Sequence, residues 1–145
     1  LTQLTRHVAP GMVERGRGRI VNMTSNAAFQ PGPYMACYYA SKAYVLHFSI
    51  ALAEELKGTG VTVTALAPGP VATGFQARAS MEDARLVKGR DLPSAPAVVE
   101  WGWAQAEKGR AFAVHSPRWK VFAFGMRFLP RTTAARLAAR ASERV

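Results

Sequence analysis

Residues 19–24, RIVNMT, and residues 61–66, VTVTAL, define the architecture of the chain. Each stretch is short, rich in β-branched residues and preceded by a glycine, which is typical of a strand. Between them, residues 26–33 contain two prolines and predict a loop, whereas residues 38–57 contain neither glycine nor proline and predict one long helix. A strand, a helix and a second strand predict two parallel strands joined by a right-handed crossover.

Further elements flank this unit. Residues 1–14 place apolar side chains at helical spacing, and Gly16 and Gly18 are expected to end that helix. Residues 94–108 begin with a serine that is followed two positions later by a proline, which predicts a capped helix. Residues 110–115 predict a third strand. This alternation of strands and helices predicts an α/β fold in which helices flank a parallel sheet.

The composition limits the class of protein. The chain has 145 residues, of which 49% are hydrophobic and 19% are charged; this suits one globular domain and excludes a disordered chain. No apolar run approaches the roughly 20 residues of a transmembrane helix, and no secretory signal opens the sequence. Cys37 is the single cysteine, so an internal disulfide is excluded and a cytoplasmic location is expected. The three histidines lack ligand spacing, and no metal is predicted.

The basic residues are unevenly distributed. The net charge is +10, and nine of the 19 lysines and arginines lie within residues 108–145. Residues 117–145 mix aromatic and aliphatic side chains with these cations and predict a basic amphipathic tail. Such a tail suits peripheral contact with a membrane surface, a lid over an apolar pocket, or a docking helix with a solvated face. Binding of nucleic acid is not expected, because no recognition motif accompanies the charge.

Tyr38 and Lys42 are the first candidates for chemistry. They are four positions apart on the predicted long helix, which places both side chains on one face. A lysine beside a phenol favours the phenolate, and such a tyrosine can act as a general acid or base near neutral pH. Taken alone, this spacing is also compatible with an ordinary solvated pair.

Two further segments give the pair a context. Ser25 directly follows the predicted strand at residues 19–24, and residues 68–73, PGPVAT, follow the second strand. In open α/β sheets, ligands bind outside the carboxyl ends of the strands. A serine there can hydrogen-bond a carbonyl oxygen and stabilise the charge that develops on it. The loop at residues 68–73 offers backbone amides and a threonine hydroxyl for a planar, amide-bearing ligand.

Three linked motifs resemble the short-chain dehydrogenase/reductase family: GRGRIVNMTS at residues 16–25, YYASK at 38–42 and PGPVATGF at 68–75. The resemblance covers most of the chain and is greatest to the group of varied substrate specificity. It implies a Rossmann-type parallel sheet with flanking helices, present only as its C-terminal half. Residues 1–116 are expected to form this half and residues 117–145 the basic tail.

The resemblance implies a role for each matching residue. Tyr38 would give the proton to a carbonyl oxygen and also contact the cofactor, and Ser25 would orient and polarise that carbonyl. Lys42 would bind the ribose hydroxyls of a nicotinamide cofactor and lower the pKa of Tyr38. The backbone of Val71 and the side chain of Thr73 would hold the carboxamide of the nicotinamide. The loop that lets the nicotinamide ring approach would be shaped by Pro68 and Gly69. The cofactor implied is NADP or NAD, and the reaction interconverts a carbonyl and an alcohol.

The resemblance also implies a partner and a substrate. The helices at residues 1–14 and 38–57 would form a subunit interface of a homo-oligomer. The irregular segment at residues 75–92 is expected to form a lid over a hydrophobic substrate.

The sequence departs from the family pattern in one respect. The glycine-rich turn that seats the cofactor pyrophosphate in the family is absent from these 145 residues. We therefore expect a fragment that binds cofactor weakly and has little activity by itself. The alternative is a non-catalytic, truncated interaction or membrane-surface module that uses the basic tail.

Overall fold

A computed structural model describes residues 1–78, 89 and 91–142 of the chain. Three parallel strands form one sheet in the order β1 (Gly18–Met23), β2 (Val61–Ala67) and β3 (Phe112–Val114). Strand β2 is central: it pairs with β1 from Gly18↔Val61 to Met23↔Leu66 and with β3 from Ala65↔Phe112 to Ala67↔Val114. The predicted parallel sheet with flanking helices is confirmed.

Six α-helices and one 3₁₀ helix surround this sheet in the part of the chain that the structure describes. They are α1 (Thr2–Glu14), the 3₁₀ helix (Asn26–Phe29), α2 (Ala36–Glu55), α3 (Phe75–Arg78), α4 (Ala95–Glu107), α5 (Pro117–Gly125) and α6 (Arg131–Ser142).

Two sequence-based expectations need correction. Gly18 does not end the first helix but opens β1; a side chain there would collide with that of Met12. Gly16, with φ of 63°, lies just beyond the helix and turns the chain, as expected. The predicted loop at residues 26–33 contains a 3₁₀ helix, because the Ser25 hydroxyl accepts a hydrogen bond from the Ala27 amide and caps a short turn.

The core lies on both sides of β2. Its residues from Val63 to Ala67 are almost completely buried, as expected for a central parallel strand covered on both faces. On one side Ala65 packs with Leu46 of α2 and Ala28 of the 3₁₀ helix. On the other side of the sheet, Gly102 of α4 has no room for a side chain beside Leu66. Helix α2 therefore covers one face of β2, and α4 covers the other.

The C-terminal helices pack onto this core. Ala123 of α5 is buried with Ala67 and Val114, at the carboxyl ends of β2 and β3. Ala134 and Ala138 of α6 are buried as well. The division of the chain at residue 116 stays a prediction. Among the residues that the structure describes, no helix has the length and apolar character needed to cross a membrane.

Candidate active site

The carboxyl ends of β1 and β2 are held side by side by backbone hydrogen bonds. The amide of Thr24 donates to the carbonyl of Leu66 at 2.8 Å, and the amide of Asn26 donates to the carbonyl of Pro68 at 3.0 Å. The parallel register thus continues one step past the strands. As a result Ser25 lies next to the loop that leaves β2.

A cleft of about 240 Å³ opens at this edge of the sheet. All seven predicted site residues line it: Ser25, Tyr38, Lys42, Pro68, Gly69, Val71 and Thr73. They come from three segments that are 13 or more positions apart in sequence, and the structure brings all of them to one cavity. Their chemical roles stay predictions at this point.

Lys42 is tied to the end of β1. Its Nζ donates a hydrogen bond of 3.1 Å to the carbonyl of Met23 and lies 5.7 Å from the centroid of the Tyr38 ring. Its own carbonyl accepts a 2.7 Å hydrogen bond from the buried hydroxyl of Thr24. Partial burial lowers the pKa of Lys42 below its usual value of 10.5, because desolvation disfavours the ammonium form. The lysine is therefore oriented by β1 rather than left mobile on the helix surface.

Tyr38 is half-buried between two other aromatic rings. Its ring lies 5.9 Å from that of Tyr39, edge to face, and 5.3 Å from that of Phe75. No residue that the structure describes accepts or donates a hydrogen bond at the Tyr38 hydroxyl. The neighbouring Tyr39 is buried, and its ring occupies the space where Gly32 lacks a side chain. Of the two adjacent tyrosines, Tyr38 has the lysine beside its ring.

The Ser25 hydroxyl already takes part in local structure. It accepts a hydrogen bond from the Ala27 amide at 3.2 Å and donates to the Asn26 carboxamide oxygen, also at 3.2 Å. A distance of 3.2 Å is at the long end of the normal range for the amide donor and beyond that range for the hydroxyl donor. The hydroxyl hydrogen can therefore turn from Asn26 towards a ligand oxygen while the cap on Ala27 is retained.

Two residues of the loop at 68–73 have defined local roles. The Thr73 hydroxyl accepts a 3.2 Å hydrogen bond from the Phe75 amide, which leaves its own hydrogen for a ligand. Gly69 packs against α5: a side chain at this position would overlap the indole of Trp119. Gly69 is expected to shape the loop for a cofactor ring. The contact with Trp119 is a second reason why this position needs a glycine, and the sequence did not indicate it.

Two residues of the cleft, Met35 and Thr24, were not predicted from the sequence, and a third, Phe75, was expected only as part of the lid. Met35 and Phe75 form apolar walls, and Thr24 orients the backbone of Lys42. Phe75 is the last residue of the PGPVATGF motif and the first residue of the expected lid. It begins the short helix α3 and contacts Tyr38. Residues 79–88 and 90 of the expected lid lie outside the described residues.

This arrangement defines the class of protein, and comparison with known proteins identifies the family. The family model described as short chain dehydrogenase matches residues 1–84, more than half of the chain. The chain belongs to the short-chain dehydrogenase/reductase family.

Curated relatives match about half of the chain. The very-long-chain 3-oxoacyl-CoA reductase of Bos taurus is 46% identical over 71 residues, which cover 49% of this chain and 23% of that protein. The NADP-dependent 3-hydroxy acid dehydrogenase YdfG of Salmonella typhi is 48% identical over 71 residues, which cover 49% and 29%. The inactive hydroxysteroid dehydrogenase-like protein 1 of Homo sapiens is 47% identical over 70 residues, which cover 48% and 21%. The relatives therefore include enzymes and a protein named as inactive.

Solved structures match over nearly the whole chain. A short-chain dehydrogenase from Sphingobium yanoikuyae in complex with NADPH superposes with a TM-score of 0.71 at 27% identity and covers 92% of this chain. A short-chain dehydrogenase from Burkholderia cenocepacia in complex with NADP gives 0.70 at 26% and also covers 92%. The chain spans 54% and 52% of their lengths. The prediction of NADP or NAD agrees with the cofactors of these relatives.

Proposed function

We propose that this chain carries the chemical half of an NAD(P)(H)-dependent oxidoreductase that interconverts a carbonyl and an alcohol. The observation that carries the proposal is the convergence of Ser25, Tyr38 and Lys42 on one cleft at the carboxyl edge of a parallel sheet. The membership of the chain in the short-chain dehydrogenase/reductase family supports the same reaction class.

The residues present fit a nicotinamide cofactor. The Lys42 side chain is half-buried, lines the cleft from α2 and donates to the end of β1, so its ammonium can also donate to ribose hydroxyls. Val71 and Thr73 line the same cavity from the opposite segment, where a backbone group and a hydroxyl can pair with a carboxamide. When bound, the cofactor would supply or accept the hydride.

The protein would supply the proton. In reduction, Ser25 donates a hydrogen bond to the substrate carbonyl oxygen and Tyr38 transfers its phenolic proton to that oxygen. The Lys42 ammonium, 5.7 Å from the ring centroid, stabilises the phenolate that remains. In oxidation the same tyrosine accepts the proton from the alcohol.

A hydrophobic substrate fits the walls of the cleft. Met35, Phe75 and Ala27 line it together with the polar residues, so an apolar body would lie beside the reacting groups. The Phe75 ring lies against the Tyr38 ring at a tilt of 38°, so it adds apolar surface next to the phenol.

The test is carbonyl-dependent oxidation of NADPH and of NADH by the protein expressed from its complete coding sequence. A panel of aliphatic, aromatic and steroidal ketones covers the apolar substrate class. Tyr38→Phe is expected to lower turnover by about 10²- to 10⁴-fold, the contribution of a general acid. Cofactor binding, followed by fluorescence of the reduced nicotinamide, should survive this change.

Tyr34→Phe is the matched control, because Tyr34 is 83% exposed and does not line the cleft. This variant should keep wild-type turnover. Equal activity of Tyr38→Phe and Tyr34→Phe would contradict the proposal, as would a folded, cofactor-binding protein that reduces no member of the panel.

The isolated 145 residues are proposed to bind cofactor weakly and to turn over poorly, since the family's glycine-rich turn is absent from them. Robust NADPH oxidation by the 145-residue chain would contradict this.

A homo-oligomer is also proposed, with α1 and α2 at the interface. Leu4 of α1 and Tyr44 of α2 are exposed, and the hydroxyls of Thr2 and Tyr44 hydrogen-bond each other. Sedimentation of the wild type and of Leu4→Asp tests it.

A second candidate function is a non-catalytic membrane-surface module. Val121 and Phe124 of α5 and Phe128 of the turn after it are 73%, 61% and 74% exposed, and Lys120 and Arg127 are their neighbours in sequence. This combination suits an interfacial helix on an anionic bilayer. In that case a cytoplasmic protein would bind peripherally.

Co-sedimentation with vesicles tests the module. Binding to vesicles that contain phosphatidylserine, lost in Val121→Ser/Phe128→Ser and accompanied by inactivity of the complete protein, would favour it. Activity without vesicle binding would favour the enzyme alone.

A further inference from the structure

A second cavity, of about 340 Å³, lies beside the edge strand β3. None of its lining residues belongs to the candidate active site. Four aromatic side chains from four different elements form its walls: Phe29, Trp101, Phe112 and Phe124. Its floor consists of small residues of β3 and α5, which leave space between the rings.

Three cationic side chains lie around the same cavity. Arg110 comes from the connection between α4 and β3, Lys120 from α5, and Arg127 from the turn after α5. The lining contains no carboxylate, and none of the three cations forms an ion pair with a described residue. Unpaired cations are ordinary on a surface, but three of them around an aromatic cavity form a site of defined chemistry.

These features select one class of ligand. Aromatic walls favour a flat apolar body, which gains about 25 cal/mol for each Å² removed from water. Arginine adds bidentate hydrogen bonds to carboxylates, sulfonates or phosphates, and lysine adds a point charge. We propose that this cavity binds an organic anion that has an aromatic or otherwise apolar body, with the anionic group at the three cations.

The site is independent of the proposed oxidoreductase function. The cavity lies beside β3, at the edge of the sheet. Tyr38 and Lys42 lie at the carboxyl ends of β1 and β2. Loss of ligand binding at this cavity would therefore not change turnover at the cleft, and it would not bear on the proposed oxidoreductase function.

The probe is anilinonaphthalene sulfonate, and its uncharged counterpart, phenylnaphthylamine, separates the two contributions. Titration of the purified protein is expected to give saturable fluorescence with the anion bound more tightly than the neutral analogue. Arg110→Gln/Arg127→Gln should weaken binding of the anion by about fivefold for each charge removed, because unit charges 4 Å apart in water interact by ~1 kcal/mol. Binding of the neutral analogue should not change.

Two control variants locate the site. Arg131→Gln/Arg136→Gln removes two cations that do not line the cavity, and Lys42→Gln removes the cation of the cleft. Both should bind the anion as the wild type does. Thermal melts establish that each variant is folded.

Three results would overturn the proposal: equal affinity for the charged and neutral probes, unchanged affinity of Arg110→Gln/Arg127→Gln for the anion, or an equal loss in either control. A folded protein with no saturable binding of the anion would also overturn it. A selective loss in Arg110→Gln/Arg127→Gln supports it.

Discussion

The Nζ atom of Lys42 donates a hydrogen bond of 3.1 Å to the carbonyl of Met23, the last residue of β1. The bond ties a side chain on α2 to the end of the strand that comes before it. One residue further, the Thr24 hydroxyl donates to the carbonyl of Lys42 at 2.7 Å. These two bonds run in opposite directions between the same pair of segments. They set the distance from α2 to the sheet, and with it the position of Tyr38 over the cleft.

Replacement of Lys42 by methionine is expected to change the pH dependence of stability. Burial lowers the pKa of Lys42 in the folded protein, so between that value and 10.5 the unfolded chain binds more protons than the folded one. Stability of the wild type relative to Lys42→Met should therefore rise with pH across this window. At lower pH the desolvation cost of the ammonium is fully present.

Urea denaturation of both proteins between neutral pH and the usual pKa of lysine measures the difference. The prediction would be contradicted if the free energy of unfolding of the wild type, relative to that of Lys42→Met, stayed constant or fell as pH rises.

Ser25→Ala removes two functions at once. Loss of the cap on the 3₁₀ helix is expected to lower the free energy of unfolding by about 1 kcal/mol. Loss of the hydroxyl towards the carbonyl is expected to lower turnover by about 10²-fold. Ser25→Thr keeps a hydroxyl and should recover most of the stability. A turnover that falls by less than tenfold in Ser25→Ala, with the full loss of stability, would show that the serine only caps the turn.

Gly69→Ala is expected to destabilise the protein by about 1–3 kcal/mol, because the new methyl group overlaps the indole of Trp119. Trp119→Leu makes room for that methyl group. The loss in the double variant should therefore be smaller than the sum of the two single losses. Thermal or chemical denaturation of the four proteins measures the coupling, and strict additivity would refute the contact.

Thr64→Val is expected to stabilise the protein by about 1 kcal/mol. Thr64 is fully buried in β2, and its hydroxyl has no hydrogen-bond partner among the described residues, so its desolvation is not compensated. Valine has nearly the same shape without the polar atom.

Thr24→Val is the matched control for this change. Thr24 is also buried, but its hydroxyl donates to the carbonyl of Lys42. This variant should lose about 1 kcal/mol instead. The same sign of effect at both positions would contradict the assignment of the unpaired hydroxyl.

Much of the architecture was accessible from local patterns. The β-branched runs at residues 19–24 and 61–66 predicted β1 and β2 to within one residue at each end. Ser94 was expected to cap a helix, and its hydroxyl accepts a hydrogen bond from the Ala97 amide. The third strand is shorter than the predicted range of 110–115, because only three of its residues pair with β2.

The candidate site was accessible for a similar reason. Helical spacing alone places Tyr38 and Lys42 on one face, and parallel strands that end at one edge bring Ser25 to the loop after β2. Periodicity and strand direction are properties of neighbouring residues, so a single sequence reveals them.

Contacts between distant segments were not accessible in this way. Trp119 fills the space above Gly69 from 50 positions away, and Phe29, Trp101 and Phe124 meet around the second cavity. The cap formed by Ser25 and the unpaired hydroxyl of Thr64 also went unpredicted. Such contacts depend on how helices pack on the sheet, and close packing is a property of the assembled side-chain volumes rather than of any local pattern. The sequence therefore determined the strands, the long helix and the catalytic candidates, whereas packing in the folded chain set their supports and the second cavity.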